Sequence, residues 1–201
     1  FLADFVSTGS RAAYNFDRKI HVKQAEELTA NLWFGLDFNI DFMTAVLGCS
    51  YSDGSIHYFD EIRQSNSNTE QLAIAMKKIA PGISVYPDAT GSARSTTSNK
   101  SDHTILRDHG FNVISKKINP PIIDRINSLN RMLVDANGKI QMTVDPKCTY
   151  LIKDLEQVQR SRDGKIEKIK DITLTHAFDA CSYYIAMKHP VVQRLVTSSQ
   201  W

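Results

Sequence analysis

The sequence predicts an α/β fold in which a mixed central sheet is flanked by helices on both faces. Three strand-like stretches follow one another through short connections, which is typical of an antiparallel meander. Helical and strand patterns then alternate, which is typical of parallel strands joined by crossovers, and helical patterns follow. At 201 residues, the chain is long enough for one domain with a sizeable core.

The composition is that of an ordinary globular protein. Apolar residues make up 42% and charged residues 23%, and a net charge of +2 does not by itself indicate nucleic acid. No apolar run approaches the length of a membrane span, so no membrane partner is predicted. Three cysteines without CxxC spacing are predicted to be reduced: Cys49, Cys148 and Cys181. The chain begins with Phe1 rather than Met, so we expect a fragment of a longer protein.

The antiparallel meander occupies the first third of the chain. Residues 1–30 show no strong periodicity and are predicted to be a connecting segment. Apolar runs then predict strands at 33–40, 44–51 and 55–62, and Asp53-Gly54 supplies the backbone angles of the tight turn before the third strand.

The later elements alternate before the chain becomes helical. Strands are predicted at 83–86 and 111–114, with a further small strand at 140–144. Apolar positions three and four residues apart predict helices at 70–79, 102–109, 148–159 and 174–187, with a longer helix that opens after Pro120-Pro121. This order is that of an RNase H-like domain. We assign residues 31–190 to it and 191–201 to a C-terminal tail.

One carboxylate stands out in the first strand, because Asp37 interrupts an apolar run. A buried, unpaired carboxylate is costly, so Asp37 needs a donor, a cation or a metal as partner. Asp88 follows the fourth strand and Asp179 lies in the last helix. In an RNase H-like sheet the first and fourth strands are neighbours, so the fold would unite these three acids.

Clustered carboxylates repel one another unless divalent cations lie between them, and oxygen ligands suit Mg²⁺ or Mn²⁺. Two such ions can activate a water and stabilise the leaving oxygen of a phosphodiester, which is hydrolytic nuclease chemistry. Simpler roles stay open for each acid. Asp37 could be a structural carboxylate, Asp88 a turn residue and Asp179 a surface position. His176, three residues before Asp179, could bind metal, orient a phosphate or be a core histidine.

Five segments carry a resemblance to a known family, in the same order along the chain: residues 35–39, 86–91, 126–133, 144–156 and 176–180. Together they resemble the C-terminal nuclease domain of the large terminase subunit of tailed bacteriophages and prophages, over about residues 30–190. Asp37, Asp88 and Asp179 fall on the three metal-binding acids of that family, and His176 on a histidine beside the third. The family often has an acid just before this histidine, whereas this chain has Thr175.

The resemblance implies an RNase H-like endonuclease that binds Mg²⁺ or Mn²⁺, two ions by the chemistry above, and cuts concatemeric viral DNA during packaging. It implies double-stranded DNA, the portal and the small terminase subunit as partners, and the host cytoplasm at the procapsid as the location. It also implies a partner ATPase domain, which this chain lacks because no GxxxxGK[ST] motif occurs. The alternatives are a catalytically silent domain that binds DNA, portal or procapsid, and another RNase H-like nuclease such as a junction resolvase.

A nuclease without strict sequence choice needs phosphate contacts more than base contacts. We favour a basic hairpin around Asp163-Gly164, together with the polar loop after Asp88. The residues predicted to contact DNA there are Arg94, Lys100, Arg160, Arg162, Lys165 and Lys168. Arg125 and Arg131 of the long helix are weaker candidates. For each of these, an ordinary solvated surface role is the alternative.

Overall fold

The computed structural model describes residues 11–39, 41–93, 100–161, 164–167, 171 and 173–191. Within these ranges one sheet contains six strands: β1 (Leu32–Asp37), β2 (Phe42–Ser50), β3 (Ile56–Ser65), β4 (Ser84–Pro87), β5 (Asn112–Val113) and β6 (Met142–Val144). Their order across the sheet is β5-β4-β1-β2-β3-β6. β1, β2 and β3 pair antiparallel, whereas β4, β5 and β6 each pair in parallel with a neighbour. The predicted mixed sheet is confirmed, and β6 adds a third parallel pair beside β3.

Helices cover both faces of this sheet, as predicted. In the described ranges they are α1 (Arg18–His21), α2 (Thr69–Ile79), α3 (Asp102–Asp108), α4 (Ile122–Leu133), α5 (Thr149–Gln157) and α6 (His176–Lys188). Successive strand residues face opposite ways, so Trp33 packs into the core under α4, α5 and α6, and Phe34 into the core under α2 and α3. α1 was not predicted. No helix in the described ranges is long and apolar enough to cross a membrane.

Part of the predicted connecting segment packs into the core. Ala12, Ala13 and Phe16 are buried with the α4–α6 side chains, and the Asn15 backbone N–H donates to Oδ1 of Asn130 at 2.9 Å. Residues 1–10 of this segment, and 192–201 of the predicted tail, lie outside the described residues. The domain boundaries therefore stay a prediction.

The backbone of α6 lies directly on β1. A Cβ atom at Gly35 would overlap the carbonyl oxygen of Ala180, so only glycine permits this approach. The contact brings the first turn of α6 to the end of β1, where Asp37 is the last residue of the strand.

Carboxylates from other elements bind the N-termini of α5 and α6. Glu61 on β3 accepts hydrogen bonds from the N–H groups of Tyr150 (2.7 Å) and Leu151 (2.9 Å). Oδ2 of Asp154 on α5 accepts from Ala177 (2.9 Å) and Phe178 (3.0 Å). Neither helix has a side-chain cap of its own, so these carboxylates satisfy N–H groups that would otherwise be unpaired. They also link β3 to α5 and α5 to α6.

Candidate functional site

Asp37 and Asp88 lie at the carboxyl ends of two neighbouring strands, β1 and β4. β1 and β4 run parallel with Leu36 opposite Pro87, and the Asp88 N–H donates to the Leu36 carbonyl at 3.1 Å. Burial raises the pKa of Asp37 above its usual range, and the negative charge of Asp88 raises it further. His176 opposes this shift through its hydrogen bond and its charge. The two acids of neighbouring strands are thus electrostatically coupled.

Asp179 reaches the same region from α6. Burial raises its pKa to about 6, Asp37 adds to the rise through its negative charge, and Arg125 lowers it. Asp37 therefore interacts with both of the other predicted acids. The neighbouring ends of β1 and β4, with α6 across them, bring together residues that are far apart in sequence.

His176 forms a close pair with Asp37. Its Nδ1 lies 3.0 Å from Oδ2 of Asp37, and the two side chains are 8% and 10% exposed. Because a carboxylate only accepts, Nδ1 carries the hydrogen and donates it. The imidazole also packs against the Phe42 ring, with centroids 5.7 Å apart. The geometry fixes the orientation of the ring beside the first acid.

Arg125 is part of this cluster and not a surface residue, which corrects its prediction as a DNA contact. It is 5% exposed, and its Nη1 donates to Oδ1 of Asp179 at 2.7 Å and to Oγ of Ser182 at 2.8 Å. Its guanidinium lies over the Tyr183 ring at 4.5 Å. The sequence contained a signal for this burial, because position 125 falls on the apolar face that Ile122, Ile126 and Leu129 define.

Asp88 is held by donors that sequence reasoning missed. Asn119 Nδ2 donates to its Oδ1 at 2.6 Å, and the Tyr183 hydroxyl donates to its Oδ2 at 3.3 Å. The Thr90 N–H also donates to Oδ1 at 2.7 Å, so Asp88 does form the turn bond considered as its simpler role. Asn119 lies in an irregular loop before Pro120, where no periodicity singles it out. Asp88 therefore forms a turn hydrogen bond with Thr90 and also lies beside the end of β1, where Asp37 is.

The carboxylates suit a hard divalent cation by type, since Mg²⁺ and Mn²⁺ prefer oxygen ligands. Hydrogen bonds within the described chain engage Oδ2 of Asp37 and Oδ1 of Asp179, and the second oxygen of each carries none there. Among the described residues, no group of three or more His, Cys, Asp or Glu side chains is arranged to hold a metal ion. Arg125 supplies the positive charge beside Asp179 instead.

The predicted DNA contacts are only partly within the described chain. Lys100 pairs with Asp108 at 2.6 Å, Arg160 lies over the Tyr14 ring at 5.3 Å, and Lys165 is exposed. Arg160 and Ile166 pair antiparallel, which agrees with the predicted hairpin. The other three residues lie outside the described ranges: Arg94, Arg162 and Lys168. DNA contact by all six stays a prediction.

Comparison with protein families matches residues 34–188 to the terminase RNaseH-like domain. The chain belongs to this family. The matched residues include Asp37, Asp88, His176 and Asp179, and the terminase resemblance expected from the five sequence segments is confirmed. A comparison with curated proteins finds no match.

Solved structures agree with the terminase RNaseH-like fold. The P22 large terminase nuclease domain superposes with a TM-score of 0.67 at 18% identity, covering 89% of this chain and 93% of that one. The nuclease domain of g2p, the large terminase of bacteriophage SPP1, was solved with bound Mn. It superposes with a TM-score of 0.50 at 16% identity, covering 81% and 94%. At these identities the similarity establishes the fold, and the predicted RNase H-like architecture is confirmed.

Proposed function

We propose that this terminase RNaseH-like domain is a metal-dependent DNA endonuclease that cuts concatemeric viral DNA during genome packaging. One observation carries the proposal. Asp37 and Asp88 end neighbouring parallel strands, and Asp179 of α6 interacts electrostatically with Asp37. Membership of a terminase family makes DNA the substrate that fits such a cluster best.

Asp37, Asp88 and Asp179 would hold Mg²⁺ or Mn²⁺ through oxygen ligands. The bound Mn in the SPP1 nuclease domain supports a divalent cation here as well. When bound, two such ions supply an activated water and neutralise the charge on the leaving oxygen of the phosphodiester.

The surrounding side chains would position these acids. His176 donates to Asp37, Asn119 and Tyr183 donate to Asp88, and Arg125 donates to Asp179. Hydrogen bonds to metal-binding carboxylates fix their orientation, and their loss typically costs about 10- to 100-fold in metal affinity or activity. His176 would also orient the scissile phosphate, because its ring lies beside Asp37.

The DNA would be held mainly by phosphate contacts. The six predicted residues would supply these contacts, because cutting without strict sequence choice needs no base reading. The ATPase domain, the portal and the small terminase subunit would act with this domain at the procapsid in the host cytoplasm.

Nicking of supercoiled plasmid in Mn²⁺ tests the proposal. Asp37→Asn, Asp88→Asn and Asp179→Asn should each lower the nicking rate by at least about 100-fold, since direct ligands matter no less than their hydrogen-bond partners. Asp53→Asn is the matched control, because Asp53 is an exposed turn residue that pairs with Lys139, and it should cut normally.

Three results would overturn the proposal. Wild-type rates in all three variants would exclude these acids. No cutting by the wild type would indicate a silent binding domain, and preferential cleavage of four-way junctions over linear duplex would indicate a resolvase. Circular dichroism of every variant separates lost chemistry from lost folding.

A further inference from the structure

A pocket lined in part by charged side chains lies on the same face of the sheet as Asp37. Its volume is about 360 Å³, and its described lining combines two cations, two aromatic rings and hydroxyl groups; one of the cations, Lys153, pairs with Asp171 at 3.0 Å. The lining residues are Phe42, Arg63, Ser65, Tyr150, Lys153 and Thr173. None of them was singled out from the sequence. The composition of the lining favours an anion.

The register of the sheet aligns Arg63, which lines this pocket, with Asp37 across two neighbouring strands. Asp37 on β1 lies opposite Thr44 on β2, and Thr44 lies opposite Arg63 on β3. Residues directly opposite on neighbouring strands share a face of the sheet. Because strands lie about 4.8 Å apart, the Cα atoms of Asp37 and Arg63 are separated by roughly 10 Å. The Phe42 ring contacts both Arg63 and His176, the residue that pairs with Asp37.

Aromatic rings, and no carboxylate of the described residues, contact the guanidinium of Arg63. Its guanidinium lies 4.1 Å from the centroid of the Phe42 ring and 4.6 Å from that of the Tyr150 ring. Its Nη2 is buried without a hydrogen-bond partner, and in the described part of the chain Arg63 forms no ion pair. A buried donor without an acceptor is destabilising, and more so when it is charged.

Among the described residues, the neighbouring carboxylates form no hydrogen bond with Arg63. Lys153 donates to Asp171 at 3.0 Å and to Thr173 at 3.1 Å, so Asp171 is already paired with another cation. The Asp154 carboxylate is close enough for the charge of Arg63 to lower its pKa, but its Oδ2 accepts two hydrogen bonds from α6. Arg63 is therefore the cation of this pocket that is left without a hydrogen-bonded carboxylate in the described chain, and its guanidinium can attract an anion.

We infer that this pocket binds a phosphate group of the DNA strand a few nucleotides from the bond that is cut. This rests on the proposed function. Guanidinium groups bind phosphate through two parallel hydrogen bonds, and an aromatic ring such as Tyr150, 44% exposed, offers a surface on which a base can stack. A strand rises about 3.4 Å per nucleotide along the duplex axis, so a separation of roughly 10 Å corresponds to at most about three nucleotides.

DNA binding in EDTA tests the inference without any cleavage. Fluorescence anisotropy with a labelled duplex, measured over a series of salt concentrations, gives the affinity and its salt dependence. Arg63→Gln should weaken binding about tenfold, as expected for a lost charged hydrogen bond, and should reduce the slope of log K against log salt by about 0.9. Arg63→Lys keeps the charge and should restore the slope.

Arg18→Gln is the matched control, because it removes the same charge from an exposed residue that pairs with Glu156 near the far end of α5. Its slope should equal that of the wild type. Equal slopes for Arg63→Gln and the wild type would overturn the inference. The proposed function would be unaffected, because it is decided by the Asn variants of the acids in the nicking assay.

The unaltered protein provides a second readout that does not depend on the folding of a variant. The Arg63 side-chain NMR resonance should shift on addition of a thymidine dinucleotide and shift much less with inorganic phosphate. A shift with neither probe, or equal shifts with both, would overturn a site for the DNA strand.

Discussion

Replacing Asp154 by Asn should make the domain more stable at neutral pH. This carboxylate is 2% exposed and accepts the N–H groups of Ala177 and Phe178. Burial is the main cause that raises its pKa from 3.8 to about 6, although these bonds and the charge of Arg63 lower it. An amide oxygen can accept the same two N–H groups without a buried charge.

The sign and size of the effect follow from this shift. Between about pH 4 and 6 the folded protein binds the proton more tightly than the unfolded chain, so the free energy of unfolding falls as the pH rises. A shift of about two units corresponds to about 3 kcal/mol, lost progressively through this window. The free energy of unfolding of Asp154→Asn should exceed that of the wild type by near zero at about pH 4 and by about 1–3 kcal/mol at about pH 8.

Urea unfolding from pH 4 to 8, followed by tryptophan fluorescence, measures the difference, since Trp33 is only 2% exposed. Subtracting the free energy of unfolding of the variant from that of the wild type at each pH cancels the contributions of groups that titrate equally in both proteins. Asp154→Ala is the control: it removes the acceptor and should cost about 2 kcal/mol or more across the range. A difference between wild type and Asn variant that does not change with pH would refute the reasoning. So would an Asn variant that is less stable at pH 8.

Two further predictions concern the support of α6. Gly35→Ala should destabilise the domain by about 3 kcal/mol or more, because the new methyl group overlaps the Ala180 backbone, which cannot rotate away; an unchanged melting temperature would contradict this packing. Arg125→Met should cost about 3–5 kcal/mol in urea unfolding, because Asp179 loses its buried partner. Adding Asp179→Asn to Arg125→Met should recover most of the lost stability. A double variant that is no more stable than Arg125→Met would show that the unpaired Asp179 charge is not the cause of the loss.

The sheet and the positions of the acids were predictable because they depend on patterns that the sequence displays. The first strand is a continuous apolar run, and Asp37 is conspicuous within it. Asp88 follows directly on a second apolar run. Once both runs are strands of one RNase H-like sheet, their order in the fold makes them neighbours.

Residues that support the acids were harder to predict, because their partners are distant in sequence. Arg125 is 54 residues from Asp179, and Asn119 is 31 residues from Asp88. A basic residue on a helix is usually solvated, so only the apolar face of α4 indicated otherwise. In the sequence, Arg63 resembles any charged residue of a strand, and only the register of β1, β2 and β3 aligns it with Asp37. β6 is only three residues long, too short for a pattern to show its partner.

The position of α6 on β1 has a consequence for the nascent protein. The acid cluster needs Asp37 and Asp88 from the first half of the chain, but its third member is carried by a helix that begins at His176. When only the six strands have emerged from the ribosome, the nascent chain therefore contains Asp37 and Asp88 in the folded part, but Asp179 is still missing from it. The complete cluster forms only after α6 has left the exit tunnel and its backbone has settled against Gly35. Translation order alone thus delays assembly of the site until the rest of the sheet is in place.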